Sequence, residues 1–457
     1  MIKRLTIYGG LGAAVVVLVV VALGMGRLGL IVVLGLAGAL VLSLIPIHIL
    51  PALCLAVWAL VPRRLAVEVL GVDIVYPLAF VMGVWVVRML LTRPSEPSER
   101  RSRAWLSAVL VLLAVWLAFV TLVGREWGQS LTWVVAFLLL LAAPAMLADR
   151  NAVDALVATW LGLAVLLGLY AFVEAALQQN VVYGRLLPSL DGEEAQRWSV
   201  YRVNASFGHP LYASLFFSSA FGLALGRFVE RPGKRLAIVA AISGAAMVTT
   251  VSRSGLAATV VAAAAVLMLA VVRARSIPGI AKLGLVAATT VGVALATTSG
   301  AFAERSSSGE ASSSSDAREW VISLALEAAA RSGWIGTGPG TSADAVRALD
   351  SYQILVENGY LQLLVSIGIV GAGLFVVLLI ASVAVAIRRH RYGALGALIS
   401  LGVSIAGFNA LESNPSMMIL FGGALALVWV APAAKIDDDA TIGAARLVRS
   451  PSLKAHR

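Results

Sequence analysis

The sequence predicts an all-α fold, a polytopic membrane helix bundle, and three observations carry this prediction. Hydrophobic residues make up 60% of the 457 residues, charged residues make up only 13%, and the mean hydropathy is +0.93. Soluble domains carry about twice that share of charge, so a cytosolic enzyme, a nucleic-acid-binding protein and a disordered scaffold are excluded. The single cysteine, Cys54, lies in an apolar run and excludes both a disulfide framework and a cysteine-based metal site.

Apolar runs long enough to cross a bilayer, which takes about 20 residues, follow one another along the chain. Fourteen such runs are present: 6–25, 27–45, 47–62, 74–92, 104–124, 128–147, 153–174, 209–227, 236–252, 255–273, 280–298, 359–387, 393–410 and 415–433. Only Pro46 and its neighbours separate the second run from the third. The prediction is therefore 12 to 14 transmembrane helices.

The distribution of basic residues predicts the orientation of the chain. Lys3 and Arg4 open the sequence, and clusters of Arg and Lys follow the fourth, eighth, tenth and twelfth runs. The positive-inside rule places these clusters and both termini in the cytoplasm of a multi-pass plasma (inner) membrane protein. Arg63 and Arg64 break the alternation, which makes the early runs the least certain. Residues 1–433 then form a transmembrane domain, and 434–457 form a disordered cytoplasmic tail.

Two long connections, 176–208 and 299–357, fall on the extracytoplasmic side, whereas the other connections are short. Long loops on one face of an otherwise minimal bundle indicate that the chemistry takes place there. The first loop ends with Arg202, Asn204, Gly208 and His209 just before a helix that starts at Pro210.

The junction between the ninth and tenth runs carries an arginine without an acidic neighbour. Arg253 lies there between Ser252 and Ser254, with apolar sequence on both sides. An arginine at the membrane margin is costly unless an anion or water receives it. It either extends to lipid headgroup phosphates or forms an anion-binding site, and the donors of the two serines favour the site.

The second loop changes character along its length. Residues 305–316 are low-complexity and predicted to be flexible, whereas 317–331 predict an amphipathic helix on the outer membrane surface, started by Asp316 and Glu319 and ended by Gly333. Arg318 falls in the first turn of that helix, where the dipole disfavours a cation, and this suggests a role towards a ligand.

Three glycines and a carboxylate complete the second loop. Gly336, Gly338 and Gly340 resemble a phosphate-cradling loop, but without a preceding strand or a lysine a tight turn is the favoured interpretation. Glu357, followed by Asn358, stands at the start of the next helix. It is either an acid stabilised by the helix dipole or a proton acceptor at the membrane surface.

Taken in order, these motifs resemble the O-antigen polymerase and ligase superfamily of integral-membrane glycosyltransferases. The elements are the arginine-to-proline entry at 202–210, the Ser-Arg-Ser-Gly at 252–255, the Arg-x-Trp at 318–320, the glycine loop, and the acid-Asn-x-Tyr-Leu at 357–361. The resemblance covers about residues 195–375. It implies a glycan donor and acceptor linked to polyprenyl pyrophosphate in the bilayer, and the family also suggests a chain-length regulator as a partner.

The resemblance also implies roles for individual residues. Arg202 and Arg253 match the arginines that hold the pyrophosphate, and Arg318, Asn358, His209, Ser252, Ser254 and Tyr360 are expected to contact substrate. Glu357 stands where ligases have histidine, and this acid-Asn pair is more typical of polymerases. Either Glu357 or His209 would be the base.

Neither a cofactor nor a metal is expected, because arginine can balance the charge of the leaving pyrophosphate. Asp191, Glu193 and Glu194 form the nearest acidic group on the outer side and are weak candidates for metal ligands. With one carboxylate and no second acid, direct inverting displacement is simpler than a covalent intermediate.

The sequence leaves two other functions open. One is ligase-like transfer of the glycan to another envelope acceptor, and the other is transport of a lipid-linked glycan. Transporters usually carry ionisable groups near the bilayer midplane, whereas here the charges gather at the outer margin. This favours chemistry at the surface, and we expect polymerisation of repeat units into a cell-surface polysaccharide.

Overall fold

The computed structural model describes residues 27–92, 97–124, 126–186, 200–273, 309–350 and 356–430. These residues form helices and turns, and no strand is present among them. The helices are α1 Arg27–Leu44, α2 Leu50–Leu60, α3 Arg63–Leu70, α4 Val75–Thr92, α5 Pro97–Val123, α6 Trp127–Leu147, α7 Arg150–Leu177, α8 Tyr183–Leu186, α9 Pro210–Glu230, α10 Lys234–Thr249, α11 Arg253–Arg273, α12 Gly309–Arg331, α13 Ser342–Arg347, α14 Gly359–Arg388, α15 Tyr392–Ile405, α16 Ala410–Ser413 and α17 Met418–Trp429.

The predicted class, an all-α polytopic membrane protein, is confirmed. Seven helices of the described residues are long and apolar enough to cross a membrane, namely α4, α5, α6, α7, α9, α11 and α14. The predicted runs 27–45 and 47–62 form a pair bent by 110° around Pro46, so together they count as at most one further span. Helices α15 and α17 are apolar but shorter. The predicted runs 6–25 and 280–298 lie outside the described residues.

Four helices meet at the end of the bundle that carries most of the predicted site residues. A Cβ added to Gly222 of α9 would lie 2.4 Å from the Gly396 oxygen of α15, and Tyr212 near the start of α9 packs on Phe408 just beyond α15, so these two helices run antiparallel in close contact. Ser214 of α9 bonds to Ser252 before α11, which brings the starts of α9 and α11 together. This end of the bundle also receives the start of α14.

The start of α14 packs against the end of α15. A Cβ on Gly359 would lie 2.9 Å from the Ile405 oxygen, and the Tyr360 hydroxyl donates to the Gly402 oxygen at 2.8 Å. Ser254 of α11 packs on Gly407, which is two residues after Ile405. The segment 405–407 therefore contacts both the start of α11 and the start of α14.

Helix α12 corrects the expectation for the second loop. It begins at Gly309, so the stretch expected to be flexible is helical from that residue onward, and the predicted start at Asp316 is wrong. Its end is as predicted, with Gly333 at φ +63° and the Trp334 N–H donating to the Ala329 oxygen.

The apolar face of α12 is buried against protein. Val321, Leu324, Ala325 and Ala328 pack on Val346, Val356 and Val365 of the following segments, while Trp320, expected on the same face, is 42% exposed. On the opposite face the predicted Glu327–Arg331 pair is present at 2.6 Å. The longer helix also moves Arg318 from a first turn to mid-helix, so the argument from the dipole for its role was wrong.

Helix α14 is interrupted by the glycine loop of the second outer connection. Gly368 has φ +68° within the helix, and a Cβ there would lie 2.3 Å from the Trp334 and Ile335 oxygens. The loop occupies the break, because the N–H groups of Thr337 and Gly338 donate to the Val365 and Ser366 oxygens at 3.0 Å. These two amides donate to protein, as expected if the loop is a set of tight turns.

Candidate functional site

The segment 200–209 of the first outer loop lies between helices. Arg202, Val203, Asn204 and Ala205 are each at most 2% exposed, which corrects the expectation of a surface loop at this end of 176–208. The rest of that loop is described only to Leu186. Ala205 adopts φ +49° and Gly208 φ +68°, so two left-handed turns fold the segment back into the start of α9.

A buried glutamate on α7 holds this segment in place. The Glu174 carboxylate accepts from the Asn204 and Ala205 N–H groups at 2.8 and 2.9 Å and from the Tyr201 hydroxyl at 3.3 Å. Buried backbone N–H groups need acceptors, and charge-assisted bonds are among the strongest available. Glu174 therefore fixes the backbone just after Arg202 and the side chain of the residue before it.

Arg202 is fixed beside the junction that carries Arg253. Its side chain is 2% exposed, and its Nε donates to the Thr250 oxygen at 3.0 Å. The Val203 N–H also donates to the Thr249 oxygen, at 3.3 Å. The guanidinium of Arg202 thus lies against the end of α10, three residues before Arg253.

Ser252 and Ser254 organise the start of α11. The Ser252 hydroxyl accepts from the Gly255 N–H and from the Ser214 hydroxyl, both at 3.1 Å, and therefore caps the helix. It also lies 3.2 Å from the Ser254 hydroxyl, while the Ser254 Cβ packs against Gly407. Both serines, expected as donors to substrate, have partners within the protein.

Arg253 is the first residue of α11, and its side chain is exposed. It forms no hydrogen bond or ion pair with any described residue. The partial positive charge at the start of a helix disfavours a cation there and favours an anion. The guanidinium and the helix start therefore present two positive groups to one side of the bundle.

His209 caps α9 and lies in a positively charged environment. Its Nδ1 accepts from the Leu211 N–H at 3.2 Å. Burial, together with the charges of Arg202 and Arg64, lowers the pKa of His209 to about 4, so the imidazole is neutral at pH 7. Since Nδ1 is the acceptor, the neutral ring carries its proton on Nε2 and is a hydrogen-bond donor there. This state suits contact with an anion and does not suit a base.

The start of α14 presents an exposed carboxylate. Asn358 caps the helix by accepting from the Tyr360 and Leu361 N–H groups at 2.9 and 3.1 Å, and Glu357 precedes it with its side chain exposed. The Tyr360 hydroxyl is used within the bundle. Of the predicted site residues at this helix, the substrate contacts Asn358 and Tyr360 thus position the start of α14, and the predicted base Glu357 is exposed.

Two further groups at this end were missed or left unexplained by the sequence argument. Arg63, which broke the charge alternation, donates to Asp73 at 2.7 Å and to the Ser413 oxygen, and thereby ties α3 to α16. Glu412 of α16 accepts from the N–H and hydroxyl of Ser342. Glu174 and Glu412 each lie at or just after the end of an apolar run, and this position could have marked them in the sequence as buried acids.

Among the described residues no group of three His, Cys, Asp or Glu side chains is arranged to hold a metal ion. Asp191, Glu193 and Glu194 lie outside the described residues. Helix α12 carries Arg318 in its middle, but the side chain of Arg318 is also outside the described part of the structure.

A protein-family model matches part of the chain. Residues 238–376 match the family model described as O-antigen ligase, a stretch that includes the starts of α11 and α14 with Arg253, Glu357 and Asn358. The segment holding Arg202 and His209 lies before the match. No curated protein matches the chain. Residues 238–376 are therefore the part of this chain that is similar to the O-antigen polymerase and ligase superfamily.

Proposed function

We propose that this protein polymerises polyprenyl-pyrophosphate-linked repeat units at the outer face of the membrane by metal-independent glycosyl transfer. The observation that carries the proposal is the exposed Arg253, which starts a helix without a partner among the described residues, three residues after the Thr250 oxygen that binds the buried Arg202. A pyrophosphate supplies the two or more negative charges that such a cluster attracts.

The proposed orientation follows from the basic residues at the opposite end of the bundle. Arg227, Lys234, Arg388 and Arg391 lie where α9 and α14 end and where α10 and α15 begin. By the positive-inside rule this end is cytoplasmic, and the end with Arg253 and Glu357 is then extracytoplasmic. Residues 1–433 would form the transmembrane domain and 434–457 a cytoplasmic tail.

In the proposed reaction a hydroxyl of the acceptor sugar attacks the anomeric carbon of the donor. The new glycosidic C–O bond forms while the bond from the anomeric carbon to the pyrophosphate oxygen breaks. Glu357 takes the hydroxyl proton, and the polyprenyl pyrophosphate leaves with the bonding electron pair. One displacement without a covalent intermediate inverts the anomeric configuration.

The positive groups act on the leaving pyrophosphate. Arg253 contacts its oxygens with a two-pronged guanidinium, which remains charged at any working pH. His209 donates from Nε2, and Arg202 adds a buried positive charge. Preorganised donors of this kind typically contribute about 3–4 kcal/mol each to the transition state. Glu357 is favoured over His209 as the base because the neutral His209 ring already accepts at Nδ1.

Ligase-like transfer to another lipid-linked acceptor is the second candidate, and the family description of residues 238–376 favours it. Transport is disfavoured by the break in α14. Broken helices of transporters expose backbone groups to a substrate cavity, whereas the break at Gly368 is filled by the glycine loop and its carbonyls accept from that loop.

One assay separates the three functions. Purified protein in detergent receives lipid-pyrophosphate repeat units, with and without a different lipid-linked acceptor, and the lipid-linked glycans are separated by size. A ladder of longer glycans supports polymerisation, and a single product that needs the second acceptor supports ligation. Movement of unchanged glycan across proteoliposomes, with neither product, would contradict both forms of glycosyl transfer.

A further inference from the structure

Glu412 is a buried carboxyl group to which the proposed reaction gives no part. It lies on the short helix α16, between α15 and α17 and outside the predicted spans. Its Oε2 accepts from the Ser342 N–H at 3.1 Å and also from the Ser342 hydroxyl. Its Oε1 is inaccessible to solvent and has no hydrogen-bond partner among the described residues.

Such an arrangement is costly, since a buried carboxylate oxygen without a donor loses its hydration. Burial raises the pKa of Glu412 to about 7, the Ser342 N–H and the nearby hydroxyl groups of Ser342 and Ser366 oppose this rise, and the charge of Asp344 on α13 adds to it. The positive Arg63 on α3 meets the neighbouring Ser413 oxygen. The charged group that acts on the Glu412 carboxyl group from α13 is Asp344, which is an acid.

The contact joins the second outer loop to the bundle. Ser342 begins α13, and Val346 of the same helix packs with Val356, the residue before Glu357. Leu411, beside Glu412, accepts from the Trp133 indole at 3.1 Å, so α16 is anchored to α6. The Glu412 carboxyl group therefore lies between a helix anchored to α6 and the helix that packs beside the segment of Glu357.

We propose that Glu412 is a positioning residue: its carboxyl group fixes the start of α13 and, through the packing of Val346 on Val356, the placement of Glu357. The proposal rests on the proposed function for the role of Glu357. The contact between Glu412 and Ser342 can be tested without that function.

The first measurement is hydrogen exchange of the full-length protein in detergent. Glu412→Ala should speed exchange of the backbone amides in 342–349 at least tenfold, and Glu412→Gln should do so much less, because its side-chain oxygen still accepts from Ser342. Ser342→Ala, which removes only the hydroxyl donor, should fall between them. Glu327→Ala, at an exposed acid of α12, is the matched control and should leave 342–349 unchanged.

The second measurement is glycan transfer by the same variants. Glu412→Ala should lower kcat at least tenfold with less than a threefold change in KM, and Glu412→Gln should restore most of the rate. Wild-type activity that changes with pH around 7, and a flatter profile in Glu412→Gln, would support a titrating positioning group.

The outcomes are distinct. Exchange in 342–349 within twofold of wild type for both Glu412→Ala and Ser342→Ala overturns the proposal. Faster exchange with unchanged kcat also overturns it, since the contact would then be structural only. If the wild type transfers no glycan, the proposed function fails, the positioning role fails with it, and the exchange result reports the contact alone.

Discussion

Arg202 and Arg253 were expected to act alike, but they occupy opposite environments. Arg202 is 2% exposed, in a segment held by Glu174, and its Nε is used by the Thr250 oxygen. Arg253 is exposed at a helix start and meets no described partner. A similar contrast separates Glu174, which accepts three hydrogen bonds, from the exposed Glu357. Arg202 and Glu174 are buried between helices, whereas Arg253 and Glu357 are exposed, where the proposed function has them meet the substrate.

The largest effect is expected from the exposed carboxylate. Glu357→Gln should lower glycan transfer by about 10²–10⁴-fold, the usual contribution of a general base, while the amount of protein in the membrane stays the same. The assay is product formation per purified protein. Glu327→Gln, at an exposed acid paired with Arg331, is the control, and equal activity of both variants would argue against Glu357 as the base.

Arg253→Ala should come next, with a loss of about 10²–10³-fold in transfer, as for removal of one donor to a developing negative charge. Arg253→Lys should recover part of the rate, because it keeps the charge but loses the two-pronged contact. Arg331→Ala removes another exposed arginine of the outer loop and should retain full activity. Equal loss of activity in Arg331→Ala and Arg253→Ala would contradict a specific role for the exposed Arg253.

The buried pair should affect stability first. Glu174→Ala leaves the Asn204 and Ala205 N–H groups without their acceptor, at a cost of about 1–3 kcal/mol for each group. We expect a lower melting temperature and less folded protein, measured by fluorescence-detected size-exclusion after heating. Glu357→Gln should melt with the wild type. Unchanged melting of Glu174→Ala would mean that the segment 200–209 is held by other contacts.

The smallest effect concerns pH. The pKa of His209 is lowered to about 4 in the folded protein, so the unfolded chain binds a proton between about pH 6.5 and 4 when the folded one does not. The free energy of unfolding of the wild type should therefore decrease as the pH is lowered from 6.5 to 4, by at most about 3 kcal/mol. Glu412 has a raised pKa, so its contribution to the free energy of unfolding increases as the pH is lowered from about 7 to 4.5.

Comparison with His209→Asn removes the contribution of Glu412, because both proteins contain it. Asparagine also caps a helix well. The melting temperature of the wild type should drop by several degrees relative to the variant between pH 7 and 4.5. A constant difference across that range would mean that His209 takes up its proton in the folded state.

Several features of the site were predictable from local sequence. Pro210 after a polar residue gave the start of α9, the apolar runs gave the helices, and the pair Glu327–Arg331 followed from its spacing. The start of α12 was not predictable in this way, because a run of serines has weak intrinsic helix preferences and the apolar face that packs on α13 and α14 lies further along the helix, at 321–328.

By itself the sequence determined the class of protein, the approximate helices and the arginines and acid that carry the resemblance, because hydrophobic runs and local motifs act over a few turns of chain. Only the tertiary structure decided which arginine is buried, that the glycine loop fills the break at Gly368, and that Glu174 and Glu412 accept from distant segments. Those outcomes depend on contacts between residues far apart in the chain, and local sequence contains no record of which buried donor will meet which acceptor.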